Sequence, residues 1–195
     1  MPDSGPTASA SSPITTQDLG LVLLGFVLYW MAYQCHELLQ PYVRYRQGVD
    51  LLFLPAGIKL VMVIVTGWRG ALGCGLALFS LATRFWPELD PVSLAAYAAL
   101  SCGMTWAVVS LLLRYKALGH SLEGLSFRDI VQIDALNSLL HGIAVNSLFW
   151  SLGLRSGDAV APTALAMALG DFLGSGVILL LVLLVGRVLV PQGRY

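Results

Sequence analysis

Charged side chains are scarce in this chain. Asp, Glu, Lys and Arg make up 11% of its 195 residues, whereas a typical soluble domain carries about 25%. Hydrophobic residues make up 57%, and the mean hydropathy is +0.77. The 11 basic and 11 acidic residues leave no net charge, which argues against nucleic acid as a partner because such binding requires a basic surface. The composition excludes an ordinary soluble protein and predicts an integral membrane protein.

Cysteine is also rare, and the first residues lack basic side chains. Cys35, Cys74 and Cys102 show no paired spacing, so we expect neither a disulfide framework nor a zinc ribbon. Residues 1–18 contain no Lys or Arg, although a cleaved secretory signal needs a basic start. We therefore expect residues 1–18 to form a disordered tail and the first apolar run to act as an uncleaved anchor.

Motifs that accompany catalysis are missing from the sequence as well. It has no His-rich metal motif, no nucleophile elbow and no glycine loop of the kind that holds a phosphate. Asp171 is the one carboxylate that lies deep in an apolar run. We therefore expect no enzymatic activity, no catalytic residue, no metal and no cofactor.

What the sequence does contain is apolar segments of membrane-spanning length. A helix crosses the hydrocarbon with about 20 apolar residues, and backbone groups in lipid must be satisfied within the segment, which favours helices. The sequence predicts an all-α fold, a polytopic bundle of about six transmembrane helices over residues 19–190, followed by a short tail at 191–195. The six apolar segments are 19–36, 51–67, 70–85, 92–113, 130–152 and 163–190.

The distribution of basic residues gives an orientation. With both termini in the cytoplasm, six Lys or Arg residues fall on the cytoplasmic side and four on the other. Basic residues accumulate on the cytoplasmic side of membrane proteins. We therefore expect a multi-pass protein of the bacterial inner membrane with both termini in the cytoplasm.

Two opposite charges lie inside the apolar segments. Lys59 belongs to the second segment and Asp171 to the sixth, each about eight residues from the segment start. An ionisable side chain in hydrocarbon costs about 2.5–3.5 kcal/mol on insertion scales. Both segments start on the same side, so at 1.5 Å per residue the two charges reach a similar depth of about 12 Å. With Asn146 and Tyr33, which approach from the fifth and first segments, they are predicted to form a buried polar layer.

Two interpretations of this polar layer are open. In the first, Lys59 and Asp171 form a structural ion pair that fixes helix register, with Asn146 as an interhelical hydrogen bond. In the second, the layer lines a cavity for a small polar or zwitterionic molecule, with Lys59 facing an anionic group and Asp171 a cationic one. Intramembrane charges occur both as functional groups and as stable pairs.

The fifth segment carries a stripe of polar residues. Asp134, Asn137, Ser138 and His141 follow i, i+3, i+4, i+7 spacing, which places them on one helix face. This pattern is compatible with a proton relay, because histidine titrates near neutrality. Hydrogen bonds between helices are the alternative interpretation, and it is the one we favour.

Proline and glycine occur at particular points in the second, third and sixth apolar segments. Pro55 and Gly57 come shortly before Lys59 and are predicted to break the second helix beside a cavity, although proline is also common in a first helical turn. Glycines in the third and sixth segments predict close helix packing. These glycines are Gly70, Gly73, Gly170 and Gly174.

The longest connection covers residues 114–132. Ser126 to Asp129 fits a capping box that starts the fifth helix. We expect the connection to lie along the cytoplasmic interface, either as a solvated connector or as a surface where a partner protein docks.

Several segments resemble a known family. Residues 53–58 (FLPAGI) and 67–73 (GWRGALG) resemble the second and third helices of the bacterial membrane-associated sensor domain, which precedes many diguanylate cyclases and some sensor kinases. Residues 126–130 (SFRDI) and 169–174 (LGDFLG) are similar to its later loop and final helix. The resemblance covers about residues 50–185. It implies an integral-membrane sensor fold that passes its signal to an output protein.

The chain departs from that family in two ways. Family members usually carry an aliphatic residue at the position of Lys59 and tend to have more spans, and no cyclase or kinase domain follows the last helix here. The resemblance therefore implies a free-standing sensory or accessory module that signals to, or assembles with, a separate partner.

Three functions are therefore expected, in this order. The first is an inner-membrane sensory or accessory protein with a small polar intramembrane site. The second is a substrate-binding subunit or small transporter for a small polar molecule, since the architecture is similar to the six-helix subunits of energy-coupling-factor transporters. The third is a structural subunit of a membrane complex. The expected partners are the lipid bilayer, a membrane or cytoplasmic protein and a small polar ligand.

Overall fold

The computed structural model describes residues 14–116 and 124–189. Within this part the chain forms six helices and one short β-hairpin. The helices are α1 (Thr16–Val43), α2 (Leu54–Thr66), α3 (Trp68–Phe85), α4 (Pro91–Tyr115), α5 (Phe127–Ser151) and α6 (Gly157–Leu189). The hairpin strands are β1 (Arg44–Arg46) and β2 (Val49–Asp50), which pair antiparallel between α1 and α2.

Capping residues determine where several helices begin. The Thr15 hydroxyl accepts from the backbone N–H of Asp18, whose carboxylate binds the cap in return, so α1 starts at Thr16. Ser126 and Asp129 form the same reciprocal box at the start of α5, which confirms the capping box predicted from the sequence. Such caps satisfy backbone N–H groups that the first helical turn leaves without partners.

The helices run alternately up and down through the bundle. α1 packs on α3, α2 and α5 both pack on α6, and α4 contacts α3 and α5. Gln47 of the hairpin donates to the carbonyl of Phe85 at the end of α3 and accepts from Arg155 after α5. Helices α1, α3 and α5 therefore end on the face that carries the β-hairpin, which we call the hairpin face. The end of α4 and the start of α5 lie on the opposite face.

Polar and apolar side chains are distributed as in a membrane protein. Lys59, His36 and Asn146 are among the largest fully buried side chains, whereas many large apolar side chains are exposed, including the row from Leu180 to Val185 on α6. In water this arrangement would be costly, but lipid favours apolar groups on the outside. Three helices, α1, α4 and α6, are long and apolar enough to cross a membrane, and α2 is a shorter apolar helix. These spans indicate a multi-pass membrane protein.

Several predicted boundaries differ from the observed ones. α1 begins at Thr16, before the predicted start of the bundle, and α2 begins at Leu54 rather than at residue 51. Pro55 consequently lies in the first turn of α2 and does not interrupt a helix that is already under way. A first turn tolerates proline because its N–H would have no helical partner there. The tail at 191–195 lies outside the described residues.

The hairpin and the residues after it pack deep against α6. The N–H of Phe53 donates to the carbonyl of Gly170 at 2.9 Å. A methyl group on Gly170 would overlap the carbonyl of Asp50, and one on Gly174 would overlap that of Phe53. We expected these two glycines to pack against another helix, but they pack against non-helical backbone. Irregular backbone at membrane depth is stable only where protein surrounds it.

The turn of the hairpin also depends on a glycine. Gly48 has φ +71°, a left-handed conformation that other residues rarely adopt. The hairpin is held from the α5–α6 connection, where the Arg155 guanidinium donates to the carbonyl of Gln47 at 3.1 Å. Burial lowers the pKa of Arg155. These contacts place β2, and with it Asp50, inside the bundle.

Candidate polar site inside the helix bundle

A chain of four buried side chains connects four helices. Lys59 Nζ lies 3.2 Å from Ser101 Oγ, and Ser101 Oγ lies 2.8 Å from His141 Nε2. On the other side of the ring, His141 Nδ1 lies 2.5 Å from Asp171 Oδ2. All four residues are at most 4% exposed. We call Lys59, Ser101, His141 and Asp171 the polar chain.

One pattern of protons satisfies these three contacts, and Lys59 Nζ also lies 3.4 Å from His141 Nε2. The Lys59 ammonium donates to Ser101, the Ser101 hydroxyl donates to Nε2 of His141, and Nδ1–H of His141 donates to the Asp171 carboxylate. A neutral imidazole has one donor and one acceptor nitrogen, as this pattern requires. In this pattern a neutral histidine links the positive end of the polar chain to its negative end.

Helix packing places these side chains opposite one another. Lys59 follows the first turn of α2, and Gly57 lets α2 approach α6 so closely that a methyl group there would overlap Ile178. Lys59 and Asp171 therefore lie on adjacent helices. His141 on α5 packs between them, because α5 also lies along α6.

A second histidine–aspartate pair lies near the hairpin. His36 Nε2 is 2.9 Å from Asp50 Oδ2, and both side chains are buried. The His36 ring meets the ring of Phe53 edge to face, with centroids 5.0 Å apart. Among residues 14–116 and 124–189, Asp50 Oδ1 and His36 Nδ1 are buried and have no hydrogen-bond partner. Buried oxygens usually accept a hydrogen bond from protein or water, so Asp50 retains unused capacity to accept one.

A cavity of about 350 Å³ connects the hairpin face to the polar chain. Its outer end is lined by exposed Arg44, Gln47 and Arg84, and its inner end by Ser101, His141 and Asp171. Small-molecule sites usually have volumes of about 300–1,000 Å³. The remaining wall is mainly aromatic and includes Tyr29, Tyr33, Phe53, Phe85, Trp86 and Tyr97, with Asp50 among them.

The charges along the cavity are separated by depth. The arginines Arg44 and Arg84 are at the outer end, and the carboxylates of Asp50 and Asp171 lie further in. Aromatic faces between them carry partial negative charge and attract cations. The cavity is thus suited to a molecule that has a cationic group at its inner end and an anionic group at its outer end.

The residues singled out from the sequence occupy different places. Lys59, His141 and Asp171 come together in the polar chain, although Lys59 and Asp171 meet through His141 and not directly. Tyr33 forms part of the cavity wall. Asn146 instead donates to the Gly142 carbonyl and to the Met167 sulfur.

The polar stripe on α5 is buried along its length. Asp134, Asn137, Ser138 and His141 are all buried, and Ser138 donates to Asp134 at 3.3 Å. Asn137 Oδ1 has no hydrogen-bond partner. The stripe therefore continues from the polar chain toward the face opposite the hairpin.

The packing glycines of α3 also have close neighbours. A methyl group on Gly70 would overlap the carbonyl of Met62 on α2, and one on Gly73 would overlap the carbonyl of Val22 on α1. Both positions thus bring α3 into backbone contact with an adjacent helix.

Sequence reasoning missed Ser101, His36 and Asp50. Ser101 is an isolated serine in an apolar run, and such serines usually bond to their own helix. His36 ends the first predicted apolar segment, and Asp50 lies in the charged connection that follows it. Solvent exposure is the ordinary expectation at both positions. The sequence feature that could have indicated the burial of Asp50 is the pair Gly170 and Gly174, which leaves room for backbone beside Asp171.

On the opposite face, the end of α4 is joined to the start of α5. Lys116 Nζ lies 2.5 Å from Asp129 Oδ1, which connects the last residue described before the gap to the first turn of α5. Residues 117–123 of the connection, which we expected to be either a solvated connector or a docking surface, lie outside the described residues.

Comparisons with known proteins give no family. No protein-family model matches the chain, and neither a curated protein nor a solved structure matches it. The likeness to membrane-associated sensor domains therefore stays a prediction from short motifs.

Proposed function

We propose that this protein is a sensory or accessory protein of the bacterial inner membrane that holds a small polar molecule in the cavity and signals to a separate partner. The observation that carries this proposal is the cavity itself, which leads from exposed arginines on the hairpin face to the buried polar chain. A purely structural charge network would not require access from the surface.

The ligand in this proposal is a small zwitterion. Asp50 offers a buried oxygen without a partner, and Asp171 lines the same cavity. An ammonium group would bind there among aromatic faces, whereas a carboxylate or phosphate would bind Arg44 and Arg84. Lys59, which the cavity interpretation placed opposite the anionic group, is instead engaged by Ser101 and His141.

Signal transmission would follow α5. An ammonium that binds Asp171 competes for the carboxylate that also accepts from His141 on α5. A shift of α5 would reach its first turn, where Asp129 pairs with Lys116. The partner would therefore sense the position of the first turn of α5 beside Lys116. The resemblance to sensor domains supports this direction of signalling.

Native mass spectrometry of protein extracted gently from its own membranes tests the proposal. We expect a small-molecule adduct on the wild-type protein and on Glu88→Gln, since Glu88 is an exposed carboxylate on the same face. The adduct should be absent from Asp50→Asn, which keeps the shape of the side chain and removes its charge. Wild-type protein without any adduct, or an adduct retained by Asp50→Asn, would contradict the proposal.

A substrate-binding subunit or small transporter is the second candidate. It is favoured by the stripe of Asp134 and Ser138, which extends the buried polar region beyond His141 toward the opposite face. Proteoliposomes that accumulate the molecule identified by mass spectrometry would favour this candidate over a sensor. Binding without transport would favour the sensor.

A further inference from the structure

Three members of the polar chain have the relative arrangement of a nucleophile, a base and an orienting acid. Ser101 Oγ is 2.8 Å from His141 Nε2, and His141 Nδ1 is 2.5 Å from Asp171 Oδ2. Both distances are short enough for hydrogen bonds, through which a base activates a hydroxyl and a carboxylate holds the base in the required tautomer.

Ser101 behaves differently from the buried threonines of the helices. Thr66, Thr105 and Thr163 each donate to a carbonyl one turn earlier in their own helix, which is the usual solution for a hydroxyl in an apolar helix. The Ser101 hydroxyl instead bonds to a histidine on another helix. A hydroxyl that needed only a partner for burial had a carbonyl available.

Ser101 shares the cavity with its base. Ser101 is 2% exposed and lines the inner end together with His141 and Asp171, so a molecule bound at the inner end would contact the oxygen and its base together. Tyr97, one turn before Ser101 on α4, lines the same wall. A catalytic site needs this combination of a nucleophile–base contact and room for the reacting group.

Lys59 supplies the positive charge that such a site needs. Its ammonium lies 3.2 Å from Ser101 Oγ and is 1% exposed. Negative charge develops beside the nucleophile during attack on a carbonyl, and a preorganised cation in a water-poor environment stabilises it. The Ser101 backbone N–H lies within α4 and is used by that helix, so Lys59 takes the part that backbone N–H groups play elsewhere.

We propose that Ser101 is a catalytic nucleophile and that the protein hydrolyses a carboxylic ester that enters the cavity from the hairpin face. This goes beyond the proposed binding function, which does not require contact between Ser101 and His141. An ester is the expected substrate class because its alkoxide leaving group departs more readily than an amine, and the site offers a single ammonium to stabilise the oxyanion.

The reaction proceeds in two steps. Ser101 Oγ attacks the ester carbon and passes its proton to His141 Nε2, the bond from carbon to the alcohol oxygen breaks, and His141 returns the proton to the alcohol. Water then gives a proton to His141 and attacks the acyl carbon, and the bond to Ser101 Oγ breaks as that oxygen regains a proton. The sum is ester plus water to acid plus alcohol.

A fluorophosphonate probe tests the nucleophile directly in protein reconstituted in nanodiscs. Its phosphorus forms a bond to an activated serine oxygen, fluoride leaves and the serine proton goes to the base. We expect labelling of the wild type on the peptide that contains Ser101, none on that peptide in Ser101→Ala, and labelling at least about 100-fold slower in His141→Gln. Ser93→Ala is the matched control, because Ser93 lies on the same helix 2.5 Å from the carboxylate of Asp90, without a histidine. It should label like the wild type.

Ester hydrolysis gives a second readout and separates two sources of the substrate. p-Nitrophenyl acetate stands for a small soluble ester and p-nitrophenyl palmitate for a lipid-like one, and faster turnover of either by the wild type than by Ser101→Ala supports the proposal. An unlabelled wild-type protein, or labelling confined to another serine, would overturn it. In that case a ligand adduct in native mass spectra would still support the binding function, so the two proposals fail separately.

Discussion

Lys59 and Asp171 should be energetically coupled although they do not touch. Lys59→Met removes the cation at one end of the polar chain, and Asp171→Asn removes the anion at the other while keeping an acceptor for His141. Each single variant leaves one charge in a region where the wild-type side chains are 1% and 2% exposed. The double variant leaves no net charge there.

The expected size of the coupling follows from burial. Breaking a buried ion pair by removing one partner costs about 3–5 kcal/mol, so the two single losses sum to roughly 6–10 kcal/mol. The double variant loses hydrogen bonds but retains no isolated charge, and coupling within one network is about 0.5–3 kcal/mol. We expect the double variant to be at least about 2 kcal/mol more stable than the sum predicts.

Reversible unfolding in mixed micelles, followed by helicity, measures these free energies. Lys59→Met combined with Glu88→Gln serves as the control, because Glu88 is exposed on the hairpin face and its effect should add. If the effects of Lys59→Met and Asp171→Asn add within about 0.5 kcal/mol, His141 does not link the two charges as we describe.

Three further changes have defined outcomes. Gly170→Ala should destabilise the protein by about 1–3 kcal/mol in thermal unfolding, because the added methyl group overlaps the Asp50 carbonyl. Gly176→Ala is the control and should not destabilise it, because a methyl group at Gly176 meets no atom within 4 Å among the described residues, apart from its chain neighbours and the backbone of its own helix. Equal effects of the two substitutions would refute the packing of Gly170 on Asp50. His36→Leu should cost about 1–3 kcal/mol in the same assay by leaving the Asp50 carboxylate without its donor, and an unchanged stability would argue against the pair. Hydrogen bonds from the Ser93 hydroxyl and from backbone N–H groups in the first turn of α4 lower the pKa of Asp90. The stability advantage of the wild type over Asp90→Ala should therefore be full at neutral pH and be lost as the pH falls below 3.8, the ordinary pKa of aspartate. An advantage that does not change with pH would refute the role of the Asp90 carboxylate as the cap of α4.

Hydropathy predicted the helical bundle, and counting residues predicted the depth of its charges. Lys59 and Asp171 stood out because an ionisable side chain in an apolar run has few alternatives to burial against a partner. Depth alone does not reveal which side chains meet, because rotation of a helix decides which face it presents. The rotation of α5 about its own axis places His141 between Lys59 and Asp171, and hydropathy does not report that rotation.

The rest of the site depends on backbone that has no periodic signal. The segment containing Arg44 and Asp50 is charged and short, so it suggested an exposed connection, yet the turn at Gly48 and the space beside Gly170 bring Asp50 inside. Ser101 gave no signal in the sequence because its role depends on a histidine 40 positions away. Contacts of that range follow from packing and not from local pattern.

Access of water to Ser101 from the hairpin face is the claim on which both proposals depend. We would replace the native cysteines with alanine, introduce Ser101→Cys, and supply a water-soluble cationic methanethiosulfonate to the hairpin face of the protein in proteoliposomes. The cavity predicts rapid modification of this position, and little modification of Thr105→Cys, one turn further along α4 at a residue that is 0% exposed and does not line the cavity. If Ser101→Cys reacts as slowly as Thr105→Cys, or only from the opposite face, the cavity does not connect the hairpin face to the polar chain.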